Sequence, residues 1–335
     1  MSDRPEPIDR QQFELWQLVQ EHPPRWRHRN KKIVHEIACP PGSAHQGTLE
    51  YTRWTAMPLP GSVDTRAAMS RLVHQPGYFD YTPTFDQTGA VEWHVNFADP
   101  ELFVAYASSL FAQDEIQVAE HPALASLKEA LDARRLRAAT VDRDEPTPNL
   151  VMGVERRCRV ATDANAAEGR PHGLYGNAFG RADAEAIKRA TMRIDPPTFT
   201  NLIAMASLPG GSGRYNIHEI EYVLSTAYTA FRAAVLESGR SRGSECPVVV
   251  HTGFWGCGAF GGNRVLMTTL QILAAEMAGM ERVVFHTGDS SGITAINETK
   301  RLFEADLSAG SPLAAHDLIQ RLHAIGFEWG VSDGN

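Results

Sequence analysis

Between His251 and Asn263 the chain reads HTGFWGCGAFGGN, with glycines at 253, 256, 258, 261 and 262. The strand-like run Pro247-Val-Val-Val250 leads into it, and a helical pattern from Val265 to about Met280 follows. A strand–glycine loop–helix unit lets backbone curl closely around a ligand, with amide N–H groups and a helix N-terminus aimed at negative charge. Its natural guest is a phosphate or diphosphate. The plainer reading is a turn, against which the interleaved Trp255 and Phe260 count. A second group of residues is equipped for acid–base work: Ala112-Gln-Asp-Glu115 lies in a helical pattern with apolar Leu110, Phe111 and Ile116. Adjacent acids diverge by about 100° on a helix, so one can enter a cleft while the other orients it or faces solvent. A carboxyl at an apolar pocket mouth has its pKa raised and can act as a general acid near neutrality. An ordinary solvent-facing acidic pair is the alternative.

The elements that must carry these groups read as strands alternating with longer helices. Strand patterns occur at Val91–Phe97, Asn149–Met152, Thr200–Ala206, Val248–Val250 and Val283–His286. Helical patterns occur near 65–74, 108–118, 122–137, 217–236, 265–280 and 315–323, and one through Phe13, Trp16 and Val19 stops at Pro23-Pro24. The order implies an α/β sandwich with a parallel or mixed sheet, its ligand beyond the carboxyl ends of the strands. The region 160–182, with glycines at 169, 173, 176 and 180, reads as a long surface loop, and such loops are usually functional or mobile. Trp26-Arg-His-Arg-Asn-Lys-Lys32 is locally basic and reads first as a solvated stretch, with a polyanion contact as the alternative.

Composition narrows the class. A 335-residue chain that is 43% hydrophobic can build a substantial core, as one large domain or two modest ones. A net charge of −8 argues against broad nucleic-acid binding, without excluding a local basic cleft. Four cysteines, at 39, 158, 246 and 257, form neither a C-x-x-C motif nor a disulfide framework, so a reducing cytoplasm is expected. The start MSDRPEPIDR is polar, and neither a signal peptide nor a membrane span is expected. None of the 13 histidines lies in H-E-x-x-H, so no metal is expected.

Two ordered motifs together resemble the poly(ADP-ribose) glycohydrolase family. Thr252-Gly-Phe-Trp-Gly-Cys-Gly-Ala-Phe-Gly-Gly262 is very close to its phosphate loop, and is followed by Leu270-Gln-Ile-Leu-Ala-Ala275 and a strand ending in Gly288-Asp289. Upstream, Val95-Asn-Phe-Ala-Asp99 and Ser108-Ser-Leu-Phe-Ala-Gln-Asp-Glu115 are similar to the family's strand and its Gln-Glu-Glu signature. Met152-Gly-Val-Glu155, the loop Leu174-Tyr-Gly-Asn-Ala-Phe-Gly180 and the helix with Tyr222 and Tyr228 fall in family order. The resemblance implies a macrodomain-like three-layer α/β sandwich with a mixed sheet: a mainly helical N-terminal accessory segment over 1–90 and an ADP-ribose glycohydrolase domain over 91–335. It implies catalysis by Glu115 with Asp114. It also implies substrate contacts from Asp99, Gln113, Tyr175, Phe179, Phe254, Gly256, Cys257, Gly258, Ala259, Phe260 and Thr287, with Gln113 helping to hold the distal ribose. The expected partners are ADP-ribose or ADP-ribosylated protein or nucleic acid, with no cofactor.

The chain departs from the family at the glycine triplet and at the adenine-stacking aromatic. Phe103-Val-Ala105 stand where the family has three glycines, and side chains there would crowd the ligand, favouring a terminal or singly attached ADP-ribose. Thr287 replaces the adenine-stacking aromatic, and Phe254 is an alternative surface. Hydrolysis of a ribosyl glycosidic bond passes through an oxocarbenium-like state and needs a protonated leaving oxygen, which Glu115 would supply before deprotonating the attacking water. One rival is an inactive ADP-ribose reader. Another is a mono-ADP-ribosyl hydrolase acting on protein or DNA adducts. Gly256-Cys-Gly-Ala-Phe-Gly261 also fits a dinucleotide fingerprint, but the acid twenty residues beyond Gly256, Glu276, falls inside a helix before the next strand, where it would not meet a ribose.

Overall fold

The computed structural model describes residues 5–85 and 89–334. In chain order its elements are β1 (Asp9–Glu14), α1 (Leu15–Glu21), α2 (Arg29–Ala38), β2 (Thr48–Arg53), β3 (Ser62–Val63), α3 (Thr65–Ser70), β4 (Leu72–Gln75) and β5 (Val91–Ala98). Next come α4 (Gln113–Glu120), α5 (Ala123–Ala133), β6 (Val141–Asp142), β7 (Glu145–Pro146), β8 (Asn149–Val160), α6 (Ala178–Arg181), α7 (Ala184–Ala190) and β9 (Thr191–Ala206). The chain continues through α8 (Ile217–Arg242), β10 (Val248–Thr252), α9 (Arg264–Ala278), β11 (Arg282–His286), α10 (Ser290–Leu302), β12 (Leu313–Ala314) and α11 (Ala315–Ile325).

Eight strands form one mixed sheet in the order β1-β2-β8-β9-β5-β10-β11-β4. The half from β1 to β9 is antiparallel, and the half from β9 through β5, β10 and β11 to β4 is parallel. The carboxyl ends of β5, β9, β10 and β11 therefore open on one edge, where the loops after Ala98, Ala206, Thr252 and His286 gather. A parallel sheet needs cover on both faces. Strand β5 shows how this is met: Trp93 donates its indole N–H to Ser238 Oγ of α8, while Asn96 turns the other way and reaches Asp114 and Gln117 of α4. One core packs Val91, Trp93, Val95, Val250 and Val283 under α8 and α9. The other packs Ala98, Val151, Val154 and Leu202 under α1 and α5.

Local sequence explains where the main helices start and stop. The Asn216 side chain accepts from Glu219 N while Glu219 reaches back to Asn216 N, a reciprocal cap on α8. Asn263 caps α9 through Val265 N and Leu266 N, and Gly279 ends that helix at φ 81°.

The elements expected at 91–97, 122–137, 217–236, 265–280 and 315–323 are present with shifted ends. Others differ. Phe13 lies on strand β1, not on a helix, because Glu14 to Asp9 pair along β2. The helix near 65–74 stops at Ser70, and Leu72–Gln75 pair with β11. The apolar–polar alternation of 91–97 suggested a half-exposed strand, but His94 and Asn96 are buried because α4 and the 77–85 segment cover that face. The described part of the first 90 residues carries three helices and also strands at both edges of the sheet, β1 and β4. Among the described residues no helix is long and apolar enough to cross a membrane.

Candidate active site

Helix α4 begins where the loop from β5 returns to the sheet, and its first turn carries Gln113, Asp114 and Glu115. Gln113 fixes that start. Its Oε1 accepts from Phe97 N at 2.7 Å and its Nε2 donates to Val95 O at 3.0 Å, so the amide clamps α4 to β5. Both ends of the amide thus engage the backbone of β5, a positioning role the sequence reading did not give Gln113 beside its expected ribose contact. Asn96, which the sequence reading did not single out, donates to Asp114 Oδ1 at 2.9 Å and to Gln117 Oε1 at 2.9 Å. Glu115 folds back so that its Oε2 accepts from Ala112 N at 3.0 Å.

Both carboxyls are buried, Asp114 6% and Glu115 4% exposed, so the solvent-facing alternative does not hold. Two effects oppose each other here. The N-terminal dipole of α4 favours carboxylate by up to about 2 kcal/mol in partly buried settings. Full desolvation can raise a carboxyl by several pK units, at about 1.4 kcal/mol each. Desolvation wins, and both groups sit above the usual carboxylate range. For Asp114 burial is joined by the neighbouring Glu115 charge; for Glu115 burial is opposed chiefly by the Lys31 cation, and Asp99 adds a push upward on both.

Lys31 lies within the stretch first read as solvated. It is instead 1% exposed on α2, donating to Tyr106 O at 3.0 Å, with Nζ 5.0 Å from the Phe111 ring centre. Burial lowers it to about 8 against the pull of Glu115 and Asp114. The signal was present in the spacing: Asn30, Lys31, Val34 and Ala38 form the buried stripe of α2, which local charge density obscured. Asn30 beside it donates to the carbonyls of Phe179 and Ala182.

Phe179 was expected at the ligand. It is fully buried and stacked on Phe111 at 3.9 Å, so it backs the start of α4 and is not a contact surface. Tyr175, in the same loop, stays at the rim. It is 43% exposed, while its hydroxyl is tucked against the Gln113 backbone N–H and is pushed up to about 12, mainly by burial. Asp99 is exposed at the end of β5, with Oδ1 accepting from Glu101 N.

The Phe103 side chain takes no part in the expected crowding. Its backbone takes the left-handed conformation a glycine would favour, φ 54°, and its ring is fully buried in the core under α5. The conformation costs about 1–2 kcal/mol and burying a Phe side chain returns about 1.5–3, so the position holds without glycine. The ring is directed into the core; Val104 is the exposed member of the trio.

The glycine loop lies across the same sheet edge. Four of its glycines are crowded by neighbouring atoms, those at Gly261 belonging to the chain at 330–332. A Cβ at Gly253 would meet His286 O at 3.0 Å, at Gly256 Ser207 Oγ at 2.4 Å, at Gly261 Ser332 N at 3.1 Å, and at Gly262 Gly256 O at 2.7 Å. Gly258 differs: its Cβ would meet only the Asp333 carboxyl, at 3.1 Å from Oδ2. Its bare face looks outward. Trp255 is buried and donates to Met205 O, and the Cys257 thiol is pushed up to about 12 by burial, so it is not a nucleophile. Ala259 is exposed and Phe260 half-buried. Phe254 packs on Phe285 with the Arg264 guanidinium 4.8 Å from its ring centre. Thr287 is buried, its hydroxyl 3.1 Å from His74 Nε2, so it is not a ligand surface either. Beside it, Tyr78 stands 77% exposed against Gly288, an aromatic the sequence analysis did not single out. Among the described residues no cluster of His, Cys, Asp and Glu is arranged to hold a metal.

A buried acid pair and an outward-facing glycine loop thus share one edge of a mixed sheet. The family described as "Poly (ADP-ribose) glycohydrolase (PARG), Macro domain fold" matches residues 150–294. The match covers less than half of the chain, and the fold it shares is macrodomain-like. Solved structures similar to the chain include the poly(ADP-ribose) glycohydrolase from Thermomonospora curvata, 15% identical over 82% of this chain and 99% of that one, with a TM-score of 0.47. The glycohydrolase from Deinococcus radiodurans in complex with ADP-ribose is 13% identical over 87% and 94%, with a TM-score of 0.40.

Proposed function

We propose that the protein hydrolyses the ribosyl O- or N-glycosidic bond of ADP-ribose polymers or conjugates, with Glu115 as the acid–base residue. The observation that carries this is the state of Glu115: buried, anchored by Ala112 N–H, and raised in pKa at the same sheet edge as the bare face of Gly258. In the proposed reaction the diphosphate rests on the 256–260 backbone, which places the anomeric carbon within reach of α4. Protonated Glu115 gives its proton to the departing oxygen or nitrogen as the C1″ bond breaks. The resulting carboxylate then takes a proton from the water that attacks C1″, restoring the acid. Asp114, held by Asn96, keeps the second carboxyl beside the first and helps hold its proton. Tyr175 rims the cleft, and Asp99 lies beside the ribose position.

The test is Glu115→Gln. Glutamine keeps the shape and an acceptor for Ala112 N–H, so folding and ADP-ribose binding should persist while turnover falls about 10²–10⁴-fold. Near wild-type release of ADP-ribose from polymer and from singly modified protein or DNA by this variant would end the assignment. Running the three substrates side by side ranks polymer against conjugate.

A further inference from the structure

The chain beyond α11 does not leave the molecule. It runs back over the glycine loop. Its base is firmly held: the Trp329 ring stacks on Tyr215 at 4.2 Å, Trp329 N donates to Gly213 O at 2.9 Å, and Glu328 O accepts from Asn263 Nδ2 at 2.9 Å. From there Gly330 N donates to Gly261 O at 2.8 Å, and Asp333 N reaches Gly258 O at 3.3 Å. The Asp333 carboxyl then lies over Gly258, the loop glycine whose open face is not taken up by the loop's own packing. The strap is exposed from Gly330 to Gly334, Val331 91%, so no apolar burial fixes this end. The Asp333 charge also raises the Tyr175 hydroxyl, so the carboxylate lies near the loop that carries Tyr175 as well as over the glycine loop.

Resting on the ADP-ribose reading above, we propose that residues 330–334 form an autoinhibitory strap in which the Asp333 carboxylate occupies the place of a ligand phosphate on the glycine loop. A carboxylate and a phosphate are both compact anions that accept from the same donors, and they cannot share one face of Gly258. Ligand entry therefore requires the strap to lift, which the long terminal hydrogen bond and the exposed side chains permit. Trp329 is the hinge-side anchor, and the closed strap lowers apparent affinity by the fraction of molecules that are open.

The experiment is titration calorimetry of ADP-ribose against the full chain, Asp333→Asn and a chain lacking 331–335, with thermal melts of each. A strap closed nine-tenths of the time predicts about tenfold tighter binding for the deletion and a severalfold gain for Asp333→Asn, with melting temperatures little changed because Trp329 stays in place. Affinities within twofold of the full chain in both variants overturn the strap while leaving the ADP-ribose reading intact. Weaker binding in either variant overturns it too, making Asp333 a ligand contact. Absence of binding in all three proteins removes the ADP-ribose reading and the strap's assigned competitor together. Asp333→Asn changes one exposed side chain, so the test stands even if the deletion does not fold.

Discussion

Gly258 and Gly256 are two residues apart in one loop, yet the structure assigns their bareness to different causes, and substituting each separates them. At Gly256 the backbone has φ 75°, and an added Cβ would lie 2.4 Å from Ser207 Oγ, 2.6 Å from Ser207 Cβ and 3.0 Å from Met267 Cε. The left-handed conformation costs a non-glycine residue about 1–2 kcal/mol, and overpacking adds about 1–3. Gly256→Ala should therefore lose about 2–5 kcal/mol of stability, on the order of 5–10 °C in melting temperature for a chain of this size. Gly258 lies outside the left-handed region, and the close neighbour of a Cβ there is the Asp333 carboxyl, at the far end of its side chain. Gly258→Val should stay within about 0.5 kcal/mol of the parent in stability. A branched side chain on the ligand's approach face should weaken ADP-ribose by about 1–3 kcal/mol, a factor of roughly 5–150 in Kd. Calorimetry and melts in an Asp333→Asn background read both effects without displacement of the strap mixing into the result. A folded Gly258→Val protein with parental affinity would refute the placement of the diphosphate. A Gly256→Ala protein as stable as the parent would refute the steric account of the loop.

Lys31→Met keeps the packing on Phe111 and removes the cation that lowers Glu115. Glu115 then holds its proton to higher pH, so the alkaline limb of kcat/KM, where a protonated acid is lost, should move upward; an unmoved or lowered limb contradicts the coupling. Gln113→Ala leaves Phe97 N–H and Val95 O without their clamp and should cost about 1–3 kcal/mol of stability. It should also lower kcat more than ADP-ribose binding, whereas loss confined to binding would make the ribose contact its main role. Burial lowers His35 and His286 to about 4, His121 to about 3, and His94 well below its ordinary value. Between about pH 6.5 and 4 the unfolded chain binds protons these folded histidines refuse, so stability should fall as pH drops through that window. Asp114, Glu115 and Glu120, raised in the fold, act in the opposite sense but are fewer than the four histidines. A melting temperature that holds or rises from pH 7 to 5 would show that the carboxyls dominate.

Sequence alone determined the features that local chemistry fixes. The glycine loop between a strand and a helix, the helix bearing Gln113–Glu115, the caps near Asn216 and Asn263, and the alternation of strands and helices are written in residue type and short spacing. A turn or a cap is decided within a few residues. Tertiary structure decided which faces those residues present. Lys31 reads as surface charge until α2 packs its buried stripe against Phe111 and Phe179. Gln113 reads as a ligand contact alone until β5 comes within reach of its amide and gives it a second role. Phe103 reads as an obstruction until a positive φ turns its ring into the core. The role of Asp333 depends on chain separation: it lies 75 positions from Gly258, and only the return of the chain past Trp329 brings a carboxylate onto the open glycine. Burial, and with it the protonation of Glu115, is a property of everything packed around a residue, which no spacing within the helix itself encodes.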